Sequence, residues 1–183
     1  MTNDSNPPWT AIILAAGEGT RMKSERPKVL HEVAGRTLIA WVVRAALDAG
    51  ASRCIVVVGH EREDVERELH QWFGDAVETA LQPERRGTGD AVRCAIESSK
   101  GLRGSVTVLY GDCPLVPSEL VRSLVESTQT RGADCGLITS TLDDPSGYGR
   151  IVRDEQGRVR RIVEHRDCSS EELAVLEVNP GLY

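Results

Sequence analysis

The sequence of this 183-residue chain predicts an α/β protein with a mostly parallel sheet and helices on both faces. Short apolar runs of strand length alternate with stretches whose apolar residues recur at helical spacing. After about residue 143, two strand-like runs flank a tight turn, which predicts a late antiparallel hairpin. We find no repeat or linker, so residues 10–183 are expected to form one domain.

The first half of the chain predicts three strands, each followed by a helix. The strands are residues 11–14, 54–58 and 77–81. Gly50 is predicted to end the first helix, and Thr88 to be the N-cap of the third. The apolar helix faces are Leu38, Trp41, Val42, Ala45 and Ala49, then Val65, Leu69 and Trp72 or Phe73, then Ala91, Val92, Ala95 and Ile96.

The second half continues this alternation and then leaves it. Residues 106–109 and 135–141 are predicted strands, separated by a helix that begins at Ser118. Residues 151–152 and 159–163 flank the turn at 154–157 and form the hairpin. A short helix near 170–173 precedes the strand 176–179, which we expect at or near an uncovered sheet edge.

Composition excludes several classes of function. The net charge of −6 argues against a nucleic-acid partner, and no apolar stretch is long enough to cross a membrane. Five scattered cysteines without a C-x-x-C pair favour reduced thiols in a cytoplasmic protein. Residues 1–9 are polar with two prolines, unlike a signal peptide, and are expected to be poorly ordered. The sequence does not indicate an oligomeric state.

A candidate phosphate-binding turn follows the first predicted strand. Gly17 and Gly19 allow backbone N–H groups to approach an anion, and Arg21 and Lys28 add positive charge. The spacing matches neither a dinucleotide-binding loop nor a Walker loop. The alternative is a glycine turn that closes a strand, with both cations facing water.

Further polar residues follow the other predicted strands. Gln82 comes after the third strand and could bind the edge of a nucleobase, or it could lie in a solvated loop. Asp112 comes after the fourth and could hold Mg²⁺, or it could cap the helix near Ser118 or close a turn. Because ligands bind beyond the carboxyl ends of parallel strands, these segments should meet at one edge of the sheet.

The late hairpin carries a third group of polar candidates. Gly149 would let a sugar lie against the backbone, and Glu164 and Asn179 could accept bonds from its hydroxyl groups. The alternative is that Gly149 is an ordinary turn glycine and that the polar residues are the charged end of an amphipathic hairpin. His165 is expected to be a surface or hydrogen-bonded histidine.

The run L-A-A-G-E-G-T-R-M with the following P-K resembles the signature of the sugar-phosphate nucleotidyltransferases. With Q-P-E-R-R-G-T-G-D-A, Y-G-D-C-P-L, G-Y-G-R-I-V-R-D and I-V-E-H-R-D, the chain resembles the uridylyltransferase domain of the bifunctional bacterial enzymes that make UDP-N-acetylglucosamine. The resemblance implies a Rossmann-like nucleotidyltransferase fold. It also implies transfer of UMP from UTP to N-acetylglucosamine 1-phosphate with Mg²⁺ as the cofactor.

The resemblance assigns roles to particular residues. Arg21 and Lys28 would hold phosphates as catalytic cations, and Asp112 would bind the metal. The nucleotide would contact Leu14, Ala15, Ala16, Gly17, Gly19, Lys28, Gln82, Gly87 and Thr88. The sugar phosphate would contact Tyr110, Gly111, Gly149, Glu164 and Asn179.

The resemblance also has departures. Pro180 stands where the family usually has threonine. The family's domain continues past the position of Tyr183, supplies an asparagine as a second metal ligand and precedes a β-helix acetyltransferase domain. We therefore expect a C-terminally incomplete domain that is less active than a longer version and more prone to aggregate. Two alternatives stay open: a related enzyme with another sugar or alcohol phosphate, and an inactive nucleotide-binding relative.

Overall fold

The structure is a computed structural model, which describes residues 7–17, 24, 26–60, 62–84, 86–99 and 101–183. The chain forms two compact units, Met1–Cys135 and Gly136–Tyr183. The first unit contains β1 Trp9–Leu14, β2 Glu32–Val33, β3 Arg36–Thr37, α1 Leu38–Asp48, β4 Arg53–Val58, α2 Arg62–Phe73, β5 Glu78–Leu81, α3 Thr88–Ser98, β6 Ser105–Tyr110 and α4 Ser118–Thr130. The second contains β7 Ser140–Thr141, β8 Gly149–Arg153, β9 Val159–Val163, α5 Ser170–Leu173 and β10 Glu177–Asn179.

The first unit is built on a parallel sheet with the strand order β5-β4-β1-β6. Its central strands β1 and β4 are almost completely buried, as expected where helices cover both faces of a parallel sheet. The predicted parallel α/β core is confirmed. β1 begins at Trp9, two residues before the predicted start, and the Trp9 side chain is buried in the core.

The two faces of this sheet pack against different helices. On one face, Ile12, Ile55 and Val57 form a buried cluster with Ala91 and Ala95 of α3. Alternate residues of β1 point the other way, where the apolar side of α1 packs against β1 and β4. Ile96, one of the apolar residues that the sequence places in the third helix, is 47% exposed.

The caps of the helices follow local backbone chemistry. The Thr37 hydroxyl accepts a hydrogen bond from the Ala40 N–H at 3.3 Å, so Thr37 is the N-cap of α1. The predicted N-cap at Thr88 is wrong, because Gly87 occupies that position and Thr88 is the first helical residue. Gly87 has φ +100°, a conformation that a side chain disfavours.

The second unit is an antiparallel sheet with the strand order β7-β10-β8-β9. The β8–β9 hairpin confirms the predicted one, and the Asp154 carboxylate accepts N–H bonds from Gln156 and Arg158 in its turn. Of the predicted strand 135–141, only Ser140–Thr141 is a strand, and it belongs to this second sheet. The strand at residues 176–179 lies second from the edge of this sheet, near an edge as predicted, but it has no uncovered edge itself, because β10 pairs with β7 on one side and β8 on the other.

Polar contacts hold the second sheet together on both sides. The Arg153 guanidinium donates two hydrogen bonds to the Glu177 carboxylate, at 2.8 Å and 2.6 Å, and so joins β8 to β10. Ser169 and Glu172 form a reciprocal capping box at the start of α5.

In the described part of the chain, no helix is long and apolar enough to cross a membrane.

Candidate active site

The polar residues that follow the strands of the first unit meet at the carboxyl edge of its sheet. The Ala15 N–H donates to the Val57 carbonyl at 2.8 Å and thereby extends the pairing of β1 with β4. The Gln82 N–H donates to the Val58 carbonyl at 2.9 Å, just after β5. On the other side, the Gly111 N–H donates to the Leu14 carbonyl at 2.9 Å. The predicted convergence of these segments is therefore present in the backbone.

The glycine-rich segment leaves the sheet between closely packed neighbours. Ala15 and Ala16 are buried, whereas Gly17 is exposed and has open space around its α-carbon. A Cβ on Gly59 would lie 3.3 Å from the Ala16 carbonyl oxygen, so β4 approaches this segment closely. Gly19 and Arg21 lie outside the described residues, and their roles stay predictions.

An ion pair joins two segments that are 84 residues apart at this edge. The Lys28 Nζ donates to the Asp112 carboxylate, and the two side chains are 38% and 28% exposed. Lys28 begins a short 3-10 helix whose next residues, Val29 and Leu30, are buried and fix its backbone. The pair combines an ammonium group with a carboxylate, both accessible to a ligand.

Asp112 does not cap α4, which was one of the two structural alternatives that the sequence left open. The N-cap of that helix is Pro117, and no side chain caps it. The Cys113 thiol lies 3.8 Å from the second Asp112 oxygen, and its pKa is raised by burial and by the Asp112 charge. Cys113 is therefore mostly protonated at neutral pH, which makes it a poor nucleophile.

The chemistry of Asp112 fits a divalent metal ion. A carboxylate is the oxygen donor that such ions prefer, and its pairing with Lys28 shows that this position accommodates positive charge. Among the described residues, no group of three His, Cys, Asp or Glu side chains could hold a metal without further ligands. Asp112 therefore fits as one ligand of an ion that also binds substrate oxygens.

Gln82 is buried rather than solvated, with only 4% of its surface exposed. Its Nε2 donates to the Gly87 carbonyl at 3.1 Å and to the Asp90 carboxylate at 2.9 Å. This excludes the solvated-loop alternative and brings Gln82 together with the start of α3, where Gly87 and Thr88 lie. Asp90 is a contact that the sequence analysis missed, and only its place in the first helical turn hinted at it.

Tyr110 and Gly111 stand where β6 ends, on the same edge of the first unit. Gly111 is buried, and a Cβ there would lie 2.8 Å from the Ile39 Cδ1 and 3.1 Å from the Leu14 oxygen. A glycine at this position therefore lets β6 end against β1 and α1. The strand end carries Asp112 directly beyond it.

Three predicted sugar-side residues meet in the second unit. Gly149 pairs with Asn179 across β8 and β10. A Cβ on Gly149 would lie 3.5 Å from the Glu164 Oε1, so that carboxylate stands beside the glycine backbone. The Asn179 amide bonds to the Tyr183 hydroxyl at 2.6 Å and to the Gly181 N–H at 3.1 Å, which fixes its orientation.

The buried Arg150 supports the group formed by Gly149, Glu164 and Asn179, and the sequence did not single it out as a candidate. It is 2% exposed, and its Nη1 donates to the carbonyls of Pro145, at 2.7 Å, and Tyr148. Its Nη2 lies 3.4 Å from the His165 Nδ1. His165 is therefore a hydrogen-bonded histidine, as expected, and Arg150 braces the segments before Gly149 and after Glu164.

Comparison with known proteins identifies relatives over nearly the whole chain. Residues 11–166 match the family model of the MobA-like NTP transferase domain. The chain is 51% identical over 180 residues to the bifunctional protein GlmU of Sorangium cellulosum, covering 96% of this chain and 38% of that protein. It is 50% identical over 173 residues to GlmU of Caldanaerobacter subterraneus, covering 94% of this chain and 37% of that protein.

The match is confined to the N-terminal part of GlmU. The chain spans 38% and 37% of the length of the first two curated relatives that it matches. These matches confirm the family resemblance that the sequence motifs indicated.

Solved structures with low sequence identity share the fold. A UDP-glucose pyrophosphorylase bound to UDP-glucose has a TM-score of 0.76 at 18% identity, covering 96% of this chain and 75% of that one. HddC from Yersinia pseudotuberculosis has a TM-score of 0.71 at 23% identity, covering 94% and 74%. These similarities confirm the Rossmann-like nucleotidyltransferase fold.

Proposed function

Because this chain belongs to the family of MobA-like NTP transferase domains, we propose that it transfers UMP from UTP to N-acetylglucosamine 1-phosphate and releases pyrophosphate. The proposed metal ion is Mg²⁺. The sequence similarity to GlmU, at about half identity over most of the chain, supports the choice of these two substrates over other pairs.

One structural observation carries the proposal. Four segments of the chain lie at one carboxyl edge of the parallel sheet: the glycine segment after β1, Lys28, Gln82 after β5, and Asp112 after β6, which pairs with Lys28. Such an edge is where open α/β sheets bind nucleotides, and backbone donors, an ammonium group and a carboxylate there suit a triphosphate.

The proposed reaction is a direct displacement at phosphorus. A phosphate oxygen of the sugar phosphate forms a bond to the α-phosphorus of UTP, and the bond from that phosphorus to the β-phosphate bridging oxygen breaks. The electron pair leaves with pyrophosphate. A phosphate monoester is already ionised at neutral pH, so the attacking oxygen needs no general base.

The residues of the chain would align the reactants and balance their charge. Backbone N–H groups of the glycine segment and the ammonium group of Lys28 would hold phosphate oxygens, as would Arg21. Gln82 would bind the base. Glu164, beside Gly149, would bind hydroxyl groups of the acceptor sugar.

Asp112 would be the protein ligand of the metal ion. When bound, the ion supplies positive charge to the phosphate oxygens and orients them. In the structure, Lys28 balances the Asp112 charge.

Release of pyrophosphate tests the proposal. Purified chain is incubated with Mg²⁺, a nucleoside triphosphate and an acceptor, in a grid of UTP, CTP, ATP and GTP against N-acetylglucosamine 1-phosphate, glucose 1-phosphate, glucosamine 1-phosphate and an alcohol phosphate. We expect the highest rate with UTP and N-acetylglucosamine 1-phosphate. A higher rate with another acceptor would move the proposal to a related enzyme, and turnover with none would contradict it.

A further inference from the structure

The contacts of Gln82 fix which end of its side-chain amide points inward. One terminal atom of this amide lies 2.9 Å from the Asp90 carboxylate and 3.1 Å from the Gly87 carbonyl. Both neighbours are acceptors at neutral pH, so the atom between them must be the N–H donor. The inward atom of the Gln82 amide is therefore Nε2, and Oε1 is at the opposite end.

The Gln82 oxygen is the end of the amide that these contacts leave over. Both hydrogen bonds that this side chain makes to Gly87 and Asp90 use Nε2, so Oε1 is the acceptor that the proposal assigns to a ligand. Because the residue stands directly after β5, this acceptor lies at the edge of the sheet where the nucleotide is proposed to bind.

Asp90 is itself held as a charged acceptor. Its other carboxylate oxygen accepts a hydrogen bond from Arg93 at 2.5 Å, and the Asp90 side chain is only 12% exposed. The bond from Gln82 lowers the pKa of Asp90, and the bond from Arg93 lowers it further. The residue also lies in the first turn of α3, where a negative charge is favoured.

We propose that Asp90 is a positioning residue for base selection, which fixes the Gln82 amide with its oxygen toward the nucleotide and so favours uracil over cytosine. This inference rests on the proposed function and deepens it at the nucleotide side. Asp90 does not touch the base, and it acts only through Gln82.

The two bases differ in the atom that an outward oxygen would meet. Uracil carries a ring N–H between two carbonyl groups, and this N–H can donate to the Gln82 Oε1. Cytosine has an unprotonated nitrogen at the same position, so two acceptors would face each other. Without Asp90, the amide loses its stronger inner partner and can turn its N–H₂ outward, which would suit cytosine.

The test is equilibrium binding of UTP and of CTP, each measured by calorimetry with the 183-residue chain and Mg²⁺ in the absence of acceptor. The two ligands share the ribose and the triphosphate, so the ratio of their Kd values reports base selection alone. We expect the unchanged chain to prefer UTP. Asp90→Ala and Asp90→Ser should each reduce this preference about five- to tenfold, the scale of one hydrogen bond.

Conservative and control variants separate positioning from general damage. Asp90→Asn keeps an oxygen that can accept from Gln82, so it should retain more of the preference than Asp90→Ala. Arg93→Gln removes the partner of Asp90 but leaves its carboxylate, and it should keep the wild-type ratio. Asp64→Asn removes one charge from the first turn of α2, far from Gln82 in sequence, and should also keep that ratio.

The outcomes distinguish this inference from the proposed function. Equal weakening of UTP and CTP binding in Asp90→Ala and Asp90→Ser would show a merely structural role and overturn the inference, as would an unchanged ratio. If the ratio falls as expected while no acceptor yields pyrophosphate, the proposed reaction fails and the base-selection role stands. If pyrophosphate is released but the ratio of the UTP and CTP Kd values does not depend on Asp90, the proposed reaction stands and the base-selection role fails.

Discussion

Asp112→Asn should separate the stability of the first unit from its proposed chemistry. The substitution keeps the size of the side chain but removes the charge that pairs with Lys28 and would bind the metal ion. In the structure these two side chains are 38% and 28% exposed, so water already screens their attraction. Ion pairs of this kind contribute about 0.2–1 kcal/mol to the free energy of unfolding.

The expected loss of stability is therefore small and the expected loss of turnover is large. A decrease of about 1 kcal/mol corresponds to a fall in Tm of about 2–4 °C for a chain of this size. Removal of a preorganised charged group at reacting phosphates costs roughly 10²–10³-fold in kcat. Turnover is followed by pyrophosphate release over a Mg²⁺ titration, and stability by thermal unfolding.

A second ion pair of the same sheet provides the control. Arg53 begins β4 and donates two bonds of 2.9 Å to Glu78, which begins β5, so this pair lies at the opposite edge. Its side chains are 33% and 51% exposed, so water also screens this pair. Glu78→Gln should lower Tm by a similar amount and leave the turnover unchanged.

Two results would refute this reasoning. If Asp112→Asn keeps wild-type turnover and the same Mg²⁺ dependence, then Asp112 is only the partner of Lys28. If Glu78→Gln loses as much turnover as Asp112→Asn, then the loss follows from weakened packing of the sheet and not from the site.

Three further predictions concern other parts of the chain. Gly149→Ala, whose new Cβ would stand 3.5 Å from the Glu164 carboxylate oxygen, should raise the KM for the acceptor several-fold more than the KM for UTP in steady-state assays; equal effects would contradict a sugar-side role. Gly111→Ala should lower the free energy of unfolding in urea by about 1–3 kcal/mol, because its Cβ would meet Ile39 at 2.8 Å, and an unchanged midpoint would contradict this. Glu177→Gln should destabilise the chain at neutral pH, because the two hydrogen bonds from Arg153 lower the pKa of the folded Glu177 carboxyl below its ordinary 4.5. The difference in the free energy of unfolding between wild type and variant should vanish as the pH falls through that lowered pKa, and a difference that persists in acid would contradict this linkage.

The candidate site was only partly predictable from residue patterns. The strand-end rule put Gln82, Lys28 and Asp112 at one edge, because parallel strands leave their carboxyl ends together. The pattern did not predict that Lys28 would bind Asp112 across 84 residues, nor that Asp90 would hold the Gln82 amide. Both contacts depend on side-chain directions that only the packed backbone fixes.

Residue patterns alone predict the alternation of strands and helices, since a buried strand and an amphipathic helix have different periods of apolar residues. They also predict the hairpin turn, where Asp154 satisfies the turn backbone locally. Tertiary structure decided the partners of the weak elements. The stretch 135–141 has strand-like residues, but only its last two pair with another strand. Gly87 and not Thr88 is the N-cap of α3, because the backbone at Gly87 has positive φ. Local propensity selects an element where it is strong, and elsewhere the choice belongs to distant hydrogen-bond partners and to burial.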